Sequence, residues 1–254
     1  METVTHHARK TAYRRWDRGG DGAGLLCIHG SGGVSEVWKS QARLGDERPV
    51  VALDLSGHGE SEDVDADPGF ETLSAYAEDA VAVAEATGAR IPVGHSMGGA
   101  VALHLVLDRG FDPPAMVLAG TGPRMPVLDD LLEWLDGDFD RAVEFLHAPG
   151  RLFHDPTDDL RSVSEAAMRA NGRAVTRRDF RTCHWFDVAD HLGGVDAPTL
   201  AVVGEHDRLT PRWYHEEMAE GIPDCELAVI EDAGHAAMVE EPAAFNDTLR
   251  DFLG

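Results

Sequence analysis

Three residues of this chain have the types that make a nucleophile, a base and an orienting acid. Ser96 lies in Gly94-His95-Ser96-Met97-Gly98, a G-x-S-x-G run. Asp207 ends Gly204-Glu205-His206-Asp207, and His235 ends Asp232-Ala233-Gly234-His235. A serine hydroxyl is a weak nucleophile until a base takes its proton, and the imidazole needs a carboxylate to hold its tautomer. The chemistry open to such a set is attack on an acyl carbon. His235 would accept the Ser96 proton, Asp207 would stabilise the imidazolium, and water would release the acyl group. Glu205 stands two residues from Asp207 and is the rival carboxylate.

Such residues work only if strands and helices aim them. Short apolar runs at Leu25–Ile28, Val50–Leu53, Ile91–Val93 and Ala115–Ala119 read as buried parallel strands, and Thr199–Val203 and Glu226–Ile230 as strands with which the sheet resumes. Helices are expected over Thr72–Thr87, Gly99–Leu107, Pro211–Ala219 and Pro242–Leu253. Strand, helix, strand implies βαβ units in an α/β chain with a mostly parallel, doubly wound sheet. Ser96, Asp207 and His235 each fall just after a strand, at the sheet edge where such folds place their sites. The pattern changes between strands: Val127–Leu135, Asp140–His147, Asp158–Arg169 and Arg177–Phe186 read as helices with no strand among them. Residues 1–121 and 193–254 therefore form one core, and residues 122–192 an insertion between two of its strands.

The charge balance narrows the partners. The 254 residues carry 46 acids against 22 bases, a net charge of −24. Only Lys10 and Lys39 are lysines, and the stretch from Pro49 to Ala89 holds ten acids and no base. Such a polyanion is expected to bind neither nucleic acid nor an anionic membrane surface. No apolar run approaches the ~20 residues of a membrane span, and the polar start, Met1 to Arg18, lacks a signal-peptide core. A cytoplasmic protein is expected. Cys27, Cys183 and Cys225 lack metal or disulfide-framework spacing, so no metal site is expected. The acids other than Asp207 and Asp54 read as solvated surface. Few lysines with many aspartates resemble proteins of halophilic archaea, where molar salt shortens the Debye length to ~3 Å and screens self-repulsion.

The ordered motifs Leu26-Cys27-Ile28-His29-Gly30, Asp54-Leu55-Ser56-Gly57-His58-Gly59-Glu60-Ser61, Gly94–Gly99, Gly204–Asp207 and Gly234-His235 resemble the α/β-hydrolase fold superfamily over nearly the whole chain. The order serine, aspartate, histidine matches that family. The resemblance implies Asp207 over Glu205 as the acid; the alternative position, Gly120-Thr121-Gly122, has no carboxylate. It also implies an oxyanion hole from the amides of Ser31 and Met97, no cofactor, and a helical cap over residues 122–192. The implied activity is a serine hydrolase of small carboxylic esters. Enol-lactonase, carbon–carbon bond hydrolase or a non-catalytic small-molecule receptor are the other readings.

Several residues have plainer readings. His29 is expected to fix the oxyanion loop, and Asp54, His58 and Ser61 to hold a nearby turn. His95 and His206 are expected to support the site. His104 and His184 read as satisfied helix residues, and His6-His7 as a frayed terminus. Trp134, Phe139, Phe145, Phe153, Trp185 and Phe186 read mainly as packing within the insertion.

Overall fold

The computed structural model describes residues 1–254. Eight strands form one sheet: β1 Glu2–His6, β2 Arg9–Trp16, β3 Leu25–Ile28, β4 Val50–Leu53, β5 Ile91–His95, β6 Met116–Ala119, β7 Thr199–Gly204 and β8 Cys225–Ile230. Their spatial order is β1-β2-β4-β3-β5-β6-β7-β8. The strands from β4 to β8 run parallel, and β1 and β2 add an antiparallel edge.

Side chains alternate across the sheet, and both faces are covered. Leu26, Ile28, Val51 and Leu53 face helices α1 (Phe70–Thr87) and α2 (Met97–Asp108). Leu25, Cys27, Val50 and Ala52 face the other side, where Trp38 and Phe245 pack. Phe245 comes from the closing helix, Pro242–Leu253, and Trp38 from a 3₁₀ segment, Ser35–Asp46. Burial on both faces is why the central strands read as unbroken apolar runs.

The chain from β6 to β7 is helical: α3 Asp129–Gly137, α4 Phe139–Leu146 and α5 Asp158–Trp185. The two helices expected over Asp158–Arg169 and Arg177–Phe186 run on as one element broken at Gly172, whose φ of 82° no other residue type adopts easily. These helices have a small core of their own around Leu131, Leu135 and Met168. Beyond them lie α6 (Arg212–Gly221), α7 (Ala237–Glu240) and α8 (Pro242–Leu253). No helix is long and apolar enough to cross a membrane.

Two expectations need correction. His6-His7 is not frayed: the segment is the β1–β2 hairpin, with His7 and Ala8 turning at positive φ. The His6 ring bonds to Thr11 (2.8 Å) and lies 3.1 Å from Asp79. The acids are also not all solvated. Asp79 and Asp179 are fully buried. Asp79 accepts from Arg9, Thr11 and the Ser56 backbone, tying the hairpin to the loop after β4. Alternating polar residues in a short strand carry little hydrophobic signal, so the hairpin and its buried partner were illegible locally.

Candidate active site

Ser96 sits between β5 and α2 with φ 54° and ψ −118°. A non-glycine residue in that region is strained, which costs ~1–3 kcal/mol and persists only where the surroundings enforce it. The surroundings here are glycines. A Cβ on Gly94 would lie 2.3 Å from the Gly98 carbonyl oxygen, and one on Gly98 would lie 2.2 Å from that of Ile28. The motif glycines thus let β5, α2 and β3 meet at backbone contact. Gly98→Ala is expected to lower stability by about 1–3 kcal/mol or more through overpacking. Thermal melting checks it: an unchanged midpoint would mean that the contact relaxes freely.

His235 and Asp207 meet as expected. The His235 Nδ1–H donates to Asp207 Oδ2 at 2.9 Å, both residues buried. Asp207 is held in turn by the amides of Leu209 and Thr210 (2.9 Å each) and by the Thr210 hydroxyl (2.9 Å). Burial works against its charge, yet His235 and these donors outweigh burial and bring its pKa down to about 2. Glu205 is exposed and accepts from the Asp232 amide instead. Thr210 also contacts His235 Nδ1 at 3.3 Å; sequence reading passed over it.

Ser96 and His235 line one cavity of about 550 Å³. The Ser96 hydroxyl makes no hydrogen bond in this structure, and such contacts commonly tighten only when substrate is bound. His95 supports the loop beneath: its Nε2 donates to the His235 carbonyl at 3.0 Å, and its ring lies 4.8 Å from that of His235. Burial, then the His235 charge, lowers its pKa to about 3, so it stays neutral.

The segment Gly30 to Gly33 borders the same cavity. His29 shapes it. The Leu55 amide donates to His29 Nε2 (3.1 Å), which puts the ring proton on Nδ1, and Nδ1–H donates to the Gly30 carbonyl (2.9 Å). Burial, aided by the neighbouring His58, lowers the His29 pKa to about 4. Met97 is the first residue of α2, so its amide has no acceptor within the helix. The Ser31 amide donates to no other group of the protein. Asp54 accepts from the Ser35 amide (2.7 Å) and the Glu60 amide (3.1 Å), and the Ser61 hydroxyl donates to the Asp54 carbonyl (2.6 Å). These are the turn-holding parts expected of Asp54 and Ser61.

The helices between β6 and β7 grip this segment, which no local motif signalled. Asp179 of α5 accepts from the Gly32 amide (3.0 Å), His58 Nε2 (2.9 Å) and the Tyr76 hydroxyl (2.7 Å). Asn171 donates to the carbonyls of Gly32 (2.9 Å) and Gly33 (3.0 Å). The Cys183 sulfur lies 3.6 Å from the Ser31 hydroxyl. Burial opposes charge on both Asp179 and His58, but their attraction wins: the carboxyl is lowered and the imidazole raised. Each group thus favours the charged form of the other.

Of the remaining ring residues, Phe145 and Phe153 line the cavity while Phe186 joins the main core. Trp134 and Phe139 pack on the small helical core, and Trp185 is exposed. His104 is satisfied by Ser74 and Asp108, and His184 accepts from the Val127 amide. The His206 ring stacks on His154 at 3.7 Å, away from the Asp207–His235 contact.

A mostly parallel sheet with helices on both faces, carrying a strained serine where a strand turns into a helix, defines the α/β hydrolases. The chain belongs to that family: the Alpha/beta hydrolase family profile matches residues 25–248. The chain is 31% identical, over 92% of each chain, to a protein of Variovorax paradoxus named for carbamate hydrolysis, RutD. Among solved structures, a thermophilic esterase superposes with a TM-score of 0.87 at 30% identity, covering 99% of this chain and 96% of that one. An N-acyl homoserine lactone degrading enzyme superposes with a TM-score of 0.86 at 25% identity, covering 99% and 100%. The protein is an enzyme of the hydrolase class.

Proposed function

We propose that this enzyme hydrolyses carboxylic esters of small molecules through Ser96, His235 and Asp207. The observation that carries the reading is the cavity shared by a strained serine and a histidine whose far nitrogen is bonded to a buried aspartate. With Nδ1–H given to Asp207, His235 Nε2 is the nitrogen left to take the Ser96 proton. The serine oxygen adds to the carbonyl carbon, and the Ser31 and Met97 amides hold the resulting oxyanion. His235 returns its proton to the leaving alcohol. Water, activated by the same imidazole, then frees the acid and restores Ser96. Each step is balanced without a cofactor or metal.

In this reading residues 122–192 are a cap over a core of residues 1–121 and 193–254. The apolar cavity wall that they supply, including Leu131, Phe145 and Met168, suits an aliphatic acyl group. Likeness to a lactone-degrading enzyme keeps lactones as the second substrate class. The acid excess is read as adaptation to a salty cytoplasm. One panel tests these points: p-nitrophenyl esters from acetate to palmitate, and lactones, at low and multimolar KCl. Turnover of short or medium esters, with activity and melting temperature rising with salt, is expected. No turnover of any member would overturn the ester reading, and a maximum without salt would overturn the salt reading.

A further inference from the structure

We propose that the substrate carries a carboxylate, which Arg151 and Arg208 receive at the wall of the catalytic cavity. The inference deepens the ester reading and rests on it for the reaction, though not for binding. Most arginines of this chain are engaged by carboxylates or backbone carbonyls. Arg9, Arg14, Arg109, Arg124, Arg177 and Arg178 exemplify those paired with carboxylates. Arg48, Arg90 and Arg173 donate to backbone carbonyls. Four arginines have no carboxylate within 4 Å and donate no side-chain hydrogen bond, although acids outnumber bases 46 to 22: Arg43, Arg141, which lies over the Trp134 ring outside the cavity, and the pair Arg151 and Arg208. Arg151 and Arg208 line the cavity that holds Ser96 and His235.

The two share one stretch of the cavity wall. A Cβ on Gly150 would stand 3.4 Å from Arg208 Nη1, so the Arg208 guanidinium rests against the residue that precedes Arg151. Arg151 is held over the Phe145 ring at 4.4 Å, a cation–π placement that leaves the guanidinium N–H groups free. Two cations on one cavity wall, neither paired with an acid, make that wall favourable to an anion. Planar guanidinium forks suit a carboxylate in two-point contact. The other charges of the cavity wall do not compete. Glu36 is engaged by Arg14 (2.9 Å) and Lys39 (3.6 Å). The protein as a whole repels anions, so this pair makes a local exception where substrate enters. With an apolar wall elsewhere, the fitting class is an aliphatic half-ester: one carboxylate free, the other esterified.

Calorimetric titration of the Ser96→Ala protein with monomethyl adipate and with dimethyl adipate separates binding from turnover. The half-ester is expected to bind at least tenfold more tightly at low ionic strength. Adding Arg151→Gln and Arg208→Gln should remove that preference while leaving diester affinity within about twofold, and Arg→Lys at both positions should retain part of it. In the active enzyme the same pair of glutamines should raise KM for the half-ester and leave the diester unchanged. Equal affinities in the Ser96→Ala protein, or equal losses for both esters in the glutamine variant, would overturn the proposal. Preferential binding without any hydrolysis by the active enzyme would uphold it while defeating the ester reading.

Discussion

Replacing Ser96 with alanine is expected to lower kcat on any ester substrate by at least about 10⁴-fold, with a correctly folded protein left behind. Removing the serine or histidine of such a set alone costs up to about 10⁶ elsewhere, because its members act as a unit. What survives comes from binding and the oxyanion donors. The geometry adds a second readout. Residue 96 has φ 54°, which costs any side chain but not glycine. Ser96→Gly should therefore melt higher than Ser96→Ala by roughly 1 kcal/mol of stability, while both stay inactive. The experiment is a pair of melting curves beside ester kinetics. Residual activity above one per cent in both variants would remove Ser96 from the chemistry. Equal melting of the two would mean that the elbow is not strained.

Asp179→Ala is expected to cost on the order of 3–5 kcal/mol, because it strands a buried imidazolium at His58 and leaves Tyr76 and the Gly32 amide without an acceptor. For a chain of this size each kcal/mol shifts melting by about 2–4 °C, so a drop on the order of 10 °C follows. Activity should fall as well, measured at a temperature where the variant is folded. Gly32 follows Ser31 directly; in the proposed mechanism, relaxation of the loop moves the Ser31 amide away from the oxyanion. Loss of one such donor costs about 10²–10³ in kcat, with KM little changed. A purely structural role would lower the melting point and spare kcat.

The same pair gives stability a pH signature. The Asp179 pKa is lowered from its ordinary 3.8, so its contribution is present above that value and fades as pH falls through the folded pKa. The His58 pKa is raised from 6.5, so its contribution is complete below 6.5 and fades as pH rises through the folded pKa. The stabilisation is thus greatest between about pH 4 and 6.5, and the difference between native protein and Asp179→Asn should peak there. A difference independent of pH would show that the pair is not ionic.

Much of this was readable along the chain. The central parallel strands are apolar runs buried on both faces, a pattern that stands out along the chain. Ser96 is legible because the backbone contacts at Gly94 and Gly98 forbid a side chain, so the motif records sterics. His235 follows from its place after β8, whereas the place after β7 offers both Glu205 and Asp207, which only the family resemblance separates. The β1–β2 hairpin was missed because its polar alternation resembles a solvated tail, and its partner Asp79 is about 70 residues away.

By itself the sequence determined the parallel strands, the elbow and the order of the catalytic candidates, since each depends on neighbours within a few residues. Only the tertiary structure decided which distant charges meet. It brought Asp179 of the inserted helices onto Gly32 and His58, 147 and 121 residues away in the chain. It also brought Arg151 and Arg208 to the wall of one cavity, neither paired with an acid. A buried carboxylate and a solvated one are the same letter; burial and pairing, which composition averages away, separate them.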